Sequence, residues 1–342
     1  MLLKELCQIN GVSGNEKRVR DFILERIQDK VDSWQMDKIG NLVVKKKPSS
    51  SDQPIVLLCA HMDEVGLFIT EITADGYLKF QPVGGIDPQI LVSKPVSIGS
   101  IQGVIGTKAI HLQRKEERKQ ILNFEELYID IGANTKEEAE KEVKIGDYAF
   151  FNSHFEIIGQ DYLKAKALDD RIGCALIMEI LDSSFACGII AAFTVQEEIG
   201  LRGSKVISNY VQPDFAIIVE ATRAADIEEE NEEAWSVELS KGPACSLMDS
   251  ATIYQSRLIQ KVSNIARNHH IPLQFRKSTA AANDAGNIHK GGTGVPTITL
   301  SVPCRNIHSM SSVICKTDYE YCLSLLRLIL QGGFINAESE YP

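Results

Sequence analysis

A short apolar run, Val56 to Cys59, is followed at once by His61, Asp63 and Glu64. An apolar run of this length without alternation is typical of a buried strand in a parallel sheet. Polar side chains at the carboxyl end of such a strand lie where open α/β sheets place their binding sites. On this stretch alone, a functional site and a surface loop with incidental charge are equally good interpretations.

Three later apolar runs are also predicted to be buried strands: 188–195, 215–219 and 296–302. Helical periodicity lies between and around them, and it predicts helices over 16–31, 171–181, 251–268 and 317–330. Alternating strands and helices are typical of an α/β fold. We therefore expect a three-layer catalytic domain built around a mixed, largely parallel central sheet.

The stretch 71–160 has a different texture, with short β-like runs punctuated by glycines. Closely spaced short strands indicate a small β-barrel or sandwich. We therefore predict a discontinuous catalytic domain, 1–70 and 161–342, with an inserted β-barrel-like domain at 71–160. Two charge runs, 114–119 and 226–233, are predicted to be exposed loops.

The composition excludes several classes of partner. The net charge is −10, so neither nucleic acid nor an anionic membrane surface is expected to bind. No apolar run approaches the roughly 18 residues that a membrane span needs, and the N-terminus lacks a secretory signal pattern. The 8 cysteines form no CxxC pair, which is typical of free thiols in a reducing compartment. A cytoplasmic protein is expected.

Four further clusters place acid or imidazole at the predicted ends of strands or helices. Singly, each has an ordinary structural explanation, such as a helix cap for Asp169 or a rim carboxylate for Glu220. Together with His61 they would set several carboxylates side by side, which is unfavourable without a cation between them. Two histidines and three carboxylates suit two ions of Zn²⁺, Co²⁺ or Mn²⁺ that share one carboxylate. The clusters contain Asp169, Glu197 with Glu198, Glu220 and His308.

Motifs in one fixed order along the chain carry a resemblance to a known family: AHMDEVG, QPVGGIDP, KALDDRIG, QEEIGLRG, VEATRAAD, GPACS, NDAGNIH and VPCRNIHS. Over essentially its full length the chain resembles the tetrahedral aminopeptidases. That family includes glutamyl and deblocking aminopeptidases and some members labelled as cellulases. The resemblance implies a metal-dependent aminopeptidase that acts on peptides, with a barrel-like domain inserted in its catalytic domain. It also implies a homo-oligomer, in many members a dodecamer.

The resemblance further implies a role for each candidate residue. One divalent ion would be held by His61 and Glu220, and a second by Glu198 and His308. Asp169 would bridge both ions, with a cis peptide to Asp170. Glu197 matches the general base, and Asp63 matches the acid that supports His61.

The sequence departs from the family pattern at two places. Position 220 carries Glu where many members carry Asp, and the segment Ala281–Asn283 replaces a start that commonly contains glycine and threonine. The second departure puts substrate specificity in doubt, and the substrate-binding residues stay unassigned. An amidase or deacylase with the same metal chemistry, and a glycoside hydrolase of the cellulase type, are the alternatives.

Overall fold

The computed structural model describes residues 1–116, 119–224, 226, 237–276 and 279–331. Within those ranges the chain forms two sheets, one of eleven strands and one closed barrel of six. Both charge runs predicted to be loops, 114–119 and 226–233, extend outside the described residues. Asp226 is described, and its carboxylate accepts hydrogen bonds from the guanidinium of Arg305 at 2.6 and 2.7 Å.

The strands, in chain order, are β1 Ser33–Met36, β2 Leu42–Lys46, β3 Ile55–His61, β4 Gly66–Ile72, β5 Leu78–Val83, β6 Pro95–Ile98, β7 Ile101–Gly106, β8 Tyr128–Asp130, β9 Tyr148–Phe151, β10 Glu156–Ile158, β11 Tyr162–Ala165, β12 Gly188–Thr194, β13 Phe215–Arg223, β14 Ala244–Ser246, β15 Gln274–Arg276, β16 Thr297–Arg305 and β17 Ser312–Cys315. The helices are α1 Leu2–Cys7, α2 Lys17–Ile27, α3 Lys136–Glu142, α4 Leu168–Leu181, α5 Arg202–Ile207, α6 Ser256–Asn268, α7 Ala285–Ile288 and α8 Lys316–Gln331.

The large sheet has the order β1-β2-β12-β3-β13-β16-β17-β11-β10, and β14 pairs with both β15 and β16. Its four central strands, β12, β3, β13 and β16, are parallel, whereas the pairs toward both edges are antiparallel. This arrangement confirms the mixed, largely parallel sheet that the apolar runs predicted.

Burial explains why the central strands are apolar without alternation. All residues of β12, and all but the first of β3, are buried, because helices cover the sheet. Helix α4 packs against β3 and β13, while α7 and α8 pack against β16. No helix in the described ranges is both long and apolar enough to cross a membrane.

The barrel lies in the chain between β3 and β10, and its strands pair in the order β4-β5-β8-β7-β6-β9 before closing on themselves. It has its own hydrophobic core, which includes Leu67, Leu78 and Ile129. The closed barrel confirms the expectation of a barrel-like insertion. Its strand pairing runs from Gly66 to Phe151, and the division of the chain into domains at 71 and 160 stays a prediction.

One predicted helix starts later than expected. The helix predicted over 251–268 begins at Ser256. The carboxylate of Asp249 accepts hydrogen bonds from the backbone N–H groups of Ala251 and Thr252, each at 2.8 Å. Those bonds hold the preceding residues in a turn, because a side chain that binds nearby amides competes with the helix for them.

Candidate metal centre

The carboxyl ends of the central parallel strands meet at one edge of the sheet, and the predicted site residues lie there. His61 ends β3, and Glu220 lies near the end of β13. The residues that follow β12 and β16, together with the start of α4, complete the group. Six of the predicted residues line one cavity of about 720 Å³: His61, Asp169, Glu197, Glu198, Glu220 and His308. The seventh, Asp63, is fully buried beside His61.

Asp169 lies between the two imidazoles. Its Oδ1 is 3.3 Å from Nε2 of His61, and its Oδ2 is 3.5 Å from Nε2 of His308. The same Nε2 of His308 is 3.3 Å from Oε2 of Glu198. The peptide bond between Asp169 and Asp170 is cis, as the resemblance implied. One carboxylate therefore presents a separate oxygen to each histidine.

Hydrogen bonds at the other ring nitrogens fix the tautomers of both histidines. Nδ1 of His61 donates to the backbone oxygen of Asp63 at 3.1 Å, and Nδ1 of His308 donates to the backbone oxygen of Gly85 at 3.0 Å. Because Nδ1 keeps its proton, Nε2 is the nitrogen of each ring that faces the carboxylates and that would bind a metal ion in place of a proton. Gly85 follows strand β5, so the barrel domain itself orients one of the site histidines.

Asp63 contacts other groups of the site in addition to His61. Its Oδ1 lies 3.4 Å from Nδ1 of His61 and accepts the backbone N–H of Glu197 at 3.0 Å. Its Oδ2 accepts the N–H of Glu198 at 3.1 Å and the hydroxyl of Ser13 at 2.6 Å. Asp63 thereby positions the two neighbouring glutamates as well as the imidazole. No sequence signal indicated the contact with Ser13, which lies 50 positions before Asp63.

Two other residues that sequence reasoning left out of the site hold its ligand groups in place. The carboxylate of Asp170 accepts the backbone N–H of His61 at 3.1 Å and that of Gly173 at 2.8 Å. The amide Nδ2 of Asn283 donates to Oε1 of Glu220 at 2.9 Å. Asn283 belongs to the segment 281–283 at which the sequence departs from the family pattern, and that departure was the available signal.

Burial is the main cause of the raised pKa values among the acids of the site. Burial raises the pKa of Glu198 to about 7 and that of Glu220 to about 8, and it raises the pKa of Glu197 well above its usual range. Burial alone would lower the pKa of His308, but Asp169 and Glu198 raise it to about 9. Burial would also raise the pKa of Asp169, but the imidazoles of His308 and His61 on either side of it lower that pKa below its usual range.

The donor atoms fit a divalent metal. One ligand atom each from His61, Asp169 and Glu198 lies within 4.8 Å of the other two. The Nε2 lone pairs and carboxylate oxygens form the mixed nitrogen and oxygen set that Zn²⁺, Co²⁺ and Mn²⁺ accept. A cation among them would also offset the crowding of carboxylates.

Comparison with known proteins identifies the family. The model of the M42 glutamyl aminopeptidase family matches residues 40–325. This chain belongs to that family. FrvX of Escherichia coli K12, a putative aminopeptidase, is 34% identical over 99% of this chain and 98% of its own length. The lysyl aminopeptidase of Pyrococcus furiosus is 31% identical over 96% of each chain.

A solved structure of the same family has the same fold. The TET1 peptidase of Pyrococcus horikoshii superposes with a TM-score of 0.85 at 34% identity, over 96% of this chain and 98% of that one. It is described as able to assemble into a tetrahedron or a large octahedral shell. The M42 chain described here is therefore a metal-dependent aminopeptidase, and the family predicted from its motifs is confirmed.

The two alternative functions are not favoured. Glycoside hydrolysis needs two carboxyl groups on opposite sides of a sugar bond, roughly 5–10 Å apart. In this M42 site Asp169 and Glu198 face imidazole nitrogens at 3.3 to 3.5 Å, and a two-carboxyl mechanism has no need of those two histidines. An amidase or deacylase would use the same donor set, but the family assignment favours peptides.

Proposed function

We propose that the protein is a dinuclear aminopeptidase that removes N-terminal residues from peptides. The observation that carries the proposal is Asp169, whose two oxygens each face a different histidine. His61 and Glu220 would hold one ion, Glu198 and His308 the other, and Asp169 both. Two divalent ions bound there would supply Lewis acidity toward the scissile carbonyl and toward a water molecule.

Glu197 is assigned as the general base. It borders the cavity, and its Oε2 lies 4.0 Å from Nε2 of His61. The carboxylate takes a proton from the attacking water and passes it to the nitrogen of the leaving amine. Asp63 contributes by holding the backbone N–H of Glu197, which fixes where that carboxylate can reach.

The cavity offers room for residues on both sides of the scissile bond. A second cavity of about 620 Å³ shares Gly85, Arg223, Ile307 and His308 with the first. We assign the two spaces to substrate residues on either side of the metal ions. Both volumes fall in the range of small-ligand and peptide pockets, roughly 300–1,000 Å³.

An acidic N-terminal residue is the substrate class that the charges favour. Arg223 and Arg276 both line the 720 Å³ cavity, and a guanidinium pairs well with a carboxylate. We expect glutamyl and aspartyl p-nitroanilides to be cleaved faster than the lysyl compound. Arg223→Gln should lower kcat/KM for the glutamyl substrate by roughly tenfold, about 1.4 kcal/mol, and leave the leucyl substrate unchanged. Equal effects on both substrates would contradict the assignment.

We also assign the protein to the reducing cytoplasm. All eight cysteines are buried and free, which supports a compartment where thiols stay reduced.

The central experiment is metal reconstitution. Metal-free protein is loaded with Zn²⁺, Co²⁺ or Mn²⁺ and assayed on peptides that differ only in a free or an acetylated N-terminus. We expect cleavage of the free-amine peptide that depends on two equivalents of metal per chain. Full activity with one equivalent would disprove the dinuclear site, and activity without metal would disprove the mechanism.

A further inference from the structure

A buried asparagine, Asn283, donates a hydrogen bond to the carboxylate of Glu220. Nδ2 of Asn283 donates to Oε1 of Glu220 at 2.9 Å, and the hydroxyl of Ser301 donates to the same oxygen at the longer distance of 3.4 Å. Glu220 is 8% exposed and Asn283 is 2% exposed. Once a carboxylate is ionised, as it would be with a metal ion bound, a hydrogen bond to it in a site without water is among the stronger ones in proteins.

Asn283 has little freedom to turn away. Its Oδ1 accepts the backbone N–H of Ala285 at 2.9 Å, at the start of α7. Nδ2 also lies 3.5 Å from the hydroxyl oxygens of Tyr254 and Thr299. Turning the amide over would place its oxygen against the Glu220 carboxylate and its NH₂ group against the backbone N–H of Ala285. Only one orientation therefore satisfies both ends, and it points Nδ2 at Glu220.

The hydroxyls behind Asn283 are themselves anchored. The Tyr254 hydroxyl donates to Oδ2 of Asp249 at 2.7 Å and is 2.8 Å from the Thr299 hydroxyl. Because the Tyr254 proton goes to Asp249, the Thr299 hydroxyl donates to Tyr254. These contacts connect the buried carboxylate of Asp249, through Tyr254 and Asn283, to the carboxylate of Glu220. Asn283 is the member beside the metal centre.

We propose that Asn283 is a positioning residue for Glu220. Glutamate has one more rotatable bond than aspartate, so its carboxylate needs more restraint to stay in one place. Asn283 occupies Oε1 and leaves Oε2 available to the cavity. This inference rests on the proposed role of Glu220 as a metal ligand.

The test is a double-mutant cycle read by metal affinity. Asn283→Ser keeps an oxygen that can accept from Ala285 but is too short to reach Glu220. It should weaken binding of one of the two ions by roughly 10- to 100-fold, the usual effect of losing a residue that orients a ligand. In Glu220→Asp protein the carboxylate is one methylene shorter and out of reach of Nδ2. There Asn283→Ser should cause no further loss, so the two effects are not additive.

The measurement is the zinc and manganese content of the protein after equilibration with chelator-buffered metal. Asn287→Ser is the matched control, since Asn287 lies in helix α7, just after Asn283 in the chain, and its Nδ2 donates to Leu201 and Ser204 rather than to a site carboxylate. The control should keep wild-type metal affinity. If Asn283→Ser does not fold, Asn283→Ala replaces it in the cycle.

Two results would overturn the inference. One is wild-type metal affinity in Asn283→Ser. The other is an equal loss from Asn283→Ser in the wild-type and Glu220→Asp backgrounds, which indicates a role confined to packing and capping. Failure of the proposed function has a different readout, because wild-type protein would then bind fewer than two ions or would not cleave peptides.

Discussion

Glu197 and Glu198 are adjacent in the chain, yet their side chains meet different partners. Oε2 of Glu198 is 3.3 Å from Nε2 of His308, whereas Oε2 of Glu197 is 4.0 Å from Nε2 of His61. Both glutamates follow β12, where the chain turns, and the backbone N–H groups of Gly200 and Leu201 donate to the backbone oxygen of Glu197. The turn sends the two side chains to different partners, which allows one to bind metal and the other to face water. The proposed roles can therefore be separated by substitution.

Glu197→Gln keeps size and polarity but cannot take a proton. It should bind two metal ions normally while kcat falls by roughly 10²- to 10⁴-fold, the usual contribution of general acid–base catalysis. Glu198→Gln should lower metal content, and excess metal should partly restore its rate. Metal content and turnover, measured on the same preparations of both variants, show which glutamate is the metal ligand and which is the base. Loss of metal from Glu197→Gln with retention in Glu198→Gln would mean that the roles are exchanged.

Glu16 is a buried carboxyl outside the metal centre that should shape the pH dependence of stability. Its Oε1 accepts the backbone N–H of Gly14 at 2.7 Å and that of Gln196 at 3.1 Å. Burial, with a smaller effect of the Asp63 charge, raises its pKa from 4.5 to about 7. The folded protein binds more protons than the unfolded chain between those values. The free energy of unfolding therefore falls as pH rises from 4.5 to 7 and has lost this contribution above pH 7.

Glu16→Gln should remove that pH dependence. We expect a flatter profile between about pH 5 and 8 and a gain of about 1–3 kcal/mol at about pH 8, measured by urea unfolding of metal-free protein. Glu25→Gln is the control. Glu25 is exposed on helix α2, which begins directly after Glu16, and its substitution should leave the profile unchanged. An unchanged slope in Glu16→Gln would rule out this carboxyl as its source.

At the scale of elements, a buried ion cluster joins the N-terminal segment, the residues that follow β3, and the start of α4. Nζ of Lys166 is 2.7 Å from each oxygen of Glu64, and a guanidinium nitrogen of Arg171 is 3.5 Å from one of them. Arg171 also donates to the backbone oxygens of Leu6 and Ile9. Glu64 is the acid that both cations share, and it accepts the N–H of Gly11 as well.

Removing that acid should cost more than removing one cation. Glu64→Gln leaves two buried positive charges together, and we expect a loss of about 3–5 kcal/mol in the free energy of unfolding. Lys166→Met leaves Glu64 paired with Arg171 and should cost less. Lys164→Met is the control, because its pair with Glu156 is more exposed and contributes about 0–1 kcal/mol. Denaturant unfolding of the three variants gives the order, and a larger loss in Lys166→Met would contradict this account.

At the scale of the whole molecule, both edge strands of the large sheet carry exposed apolar side chains. Trp34 on β1 is 47% exposed, and Ile157 on β10 is 68% exposed. Edges of this kind favour association with another chain. With the family assignment, they lead us to predict a closed homo-oligomer, with about twelve copies of the 37.9 kDa chain as the expected size.

Light scattering coupled to size exclusion checks the assembly. Metal-loaded protein at micromolar concentration should elute as one species with a mass close to twelve chains. Charge substitution of Ile157 should shift the mass downward if its edge is an interface. A monomer as the only species, with metal present, would contradict the prediction.

The sequence by itself determined which residue types stand at the strand ends. The apolar runs of β3, β12, β13 and β16 required a sheet covered on both faces, because no alternation leaves a solvent side. Parallel strands then place their carboxyl ends at one edge, so His61 on β3 and Glu220 on β13 were expected to lie near one another. Asp169, at the start of α4, was brought to them by the packing of that helix on the sheet. The glycine-punctuated texture of 71–160 likewise predicted a small barrel or sandwich, and the structure has the closed barrel.

Only the tertiary structure decided which polar residues bind each other. Glu64 belongs to the same polar stretch as His61, but it does not line the 720 Å³ cavity. Its carboxylate pairs instead with the buried cations of Lys166 and Arg171. His308 takes its tautomer from Gly85, 223 positions away, and Glu220 is held by Asn283, 63 positions away. Such contacts depend on how the barrel and the later strands pack onto the sheet. Local periodicity reports only the face on which a residue lies, and a hydrogen bond also needs the position and direction of a partner from another part of the chain.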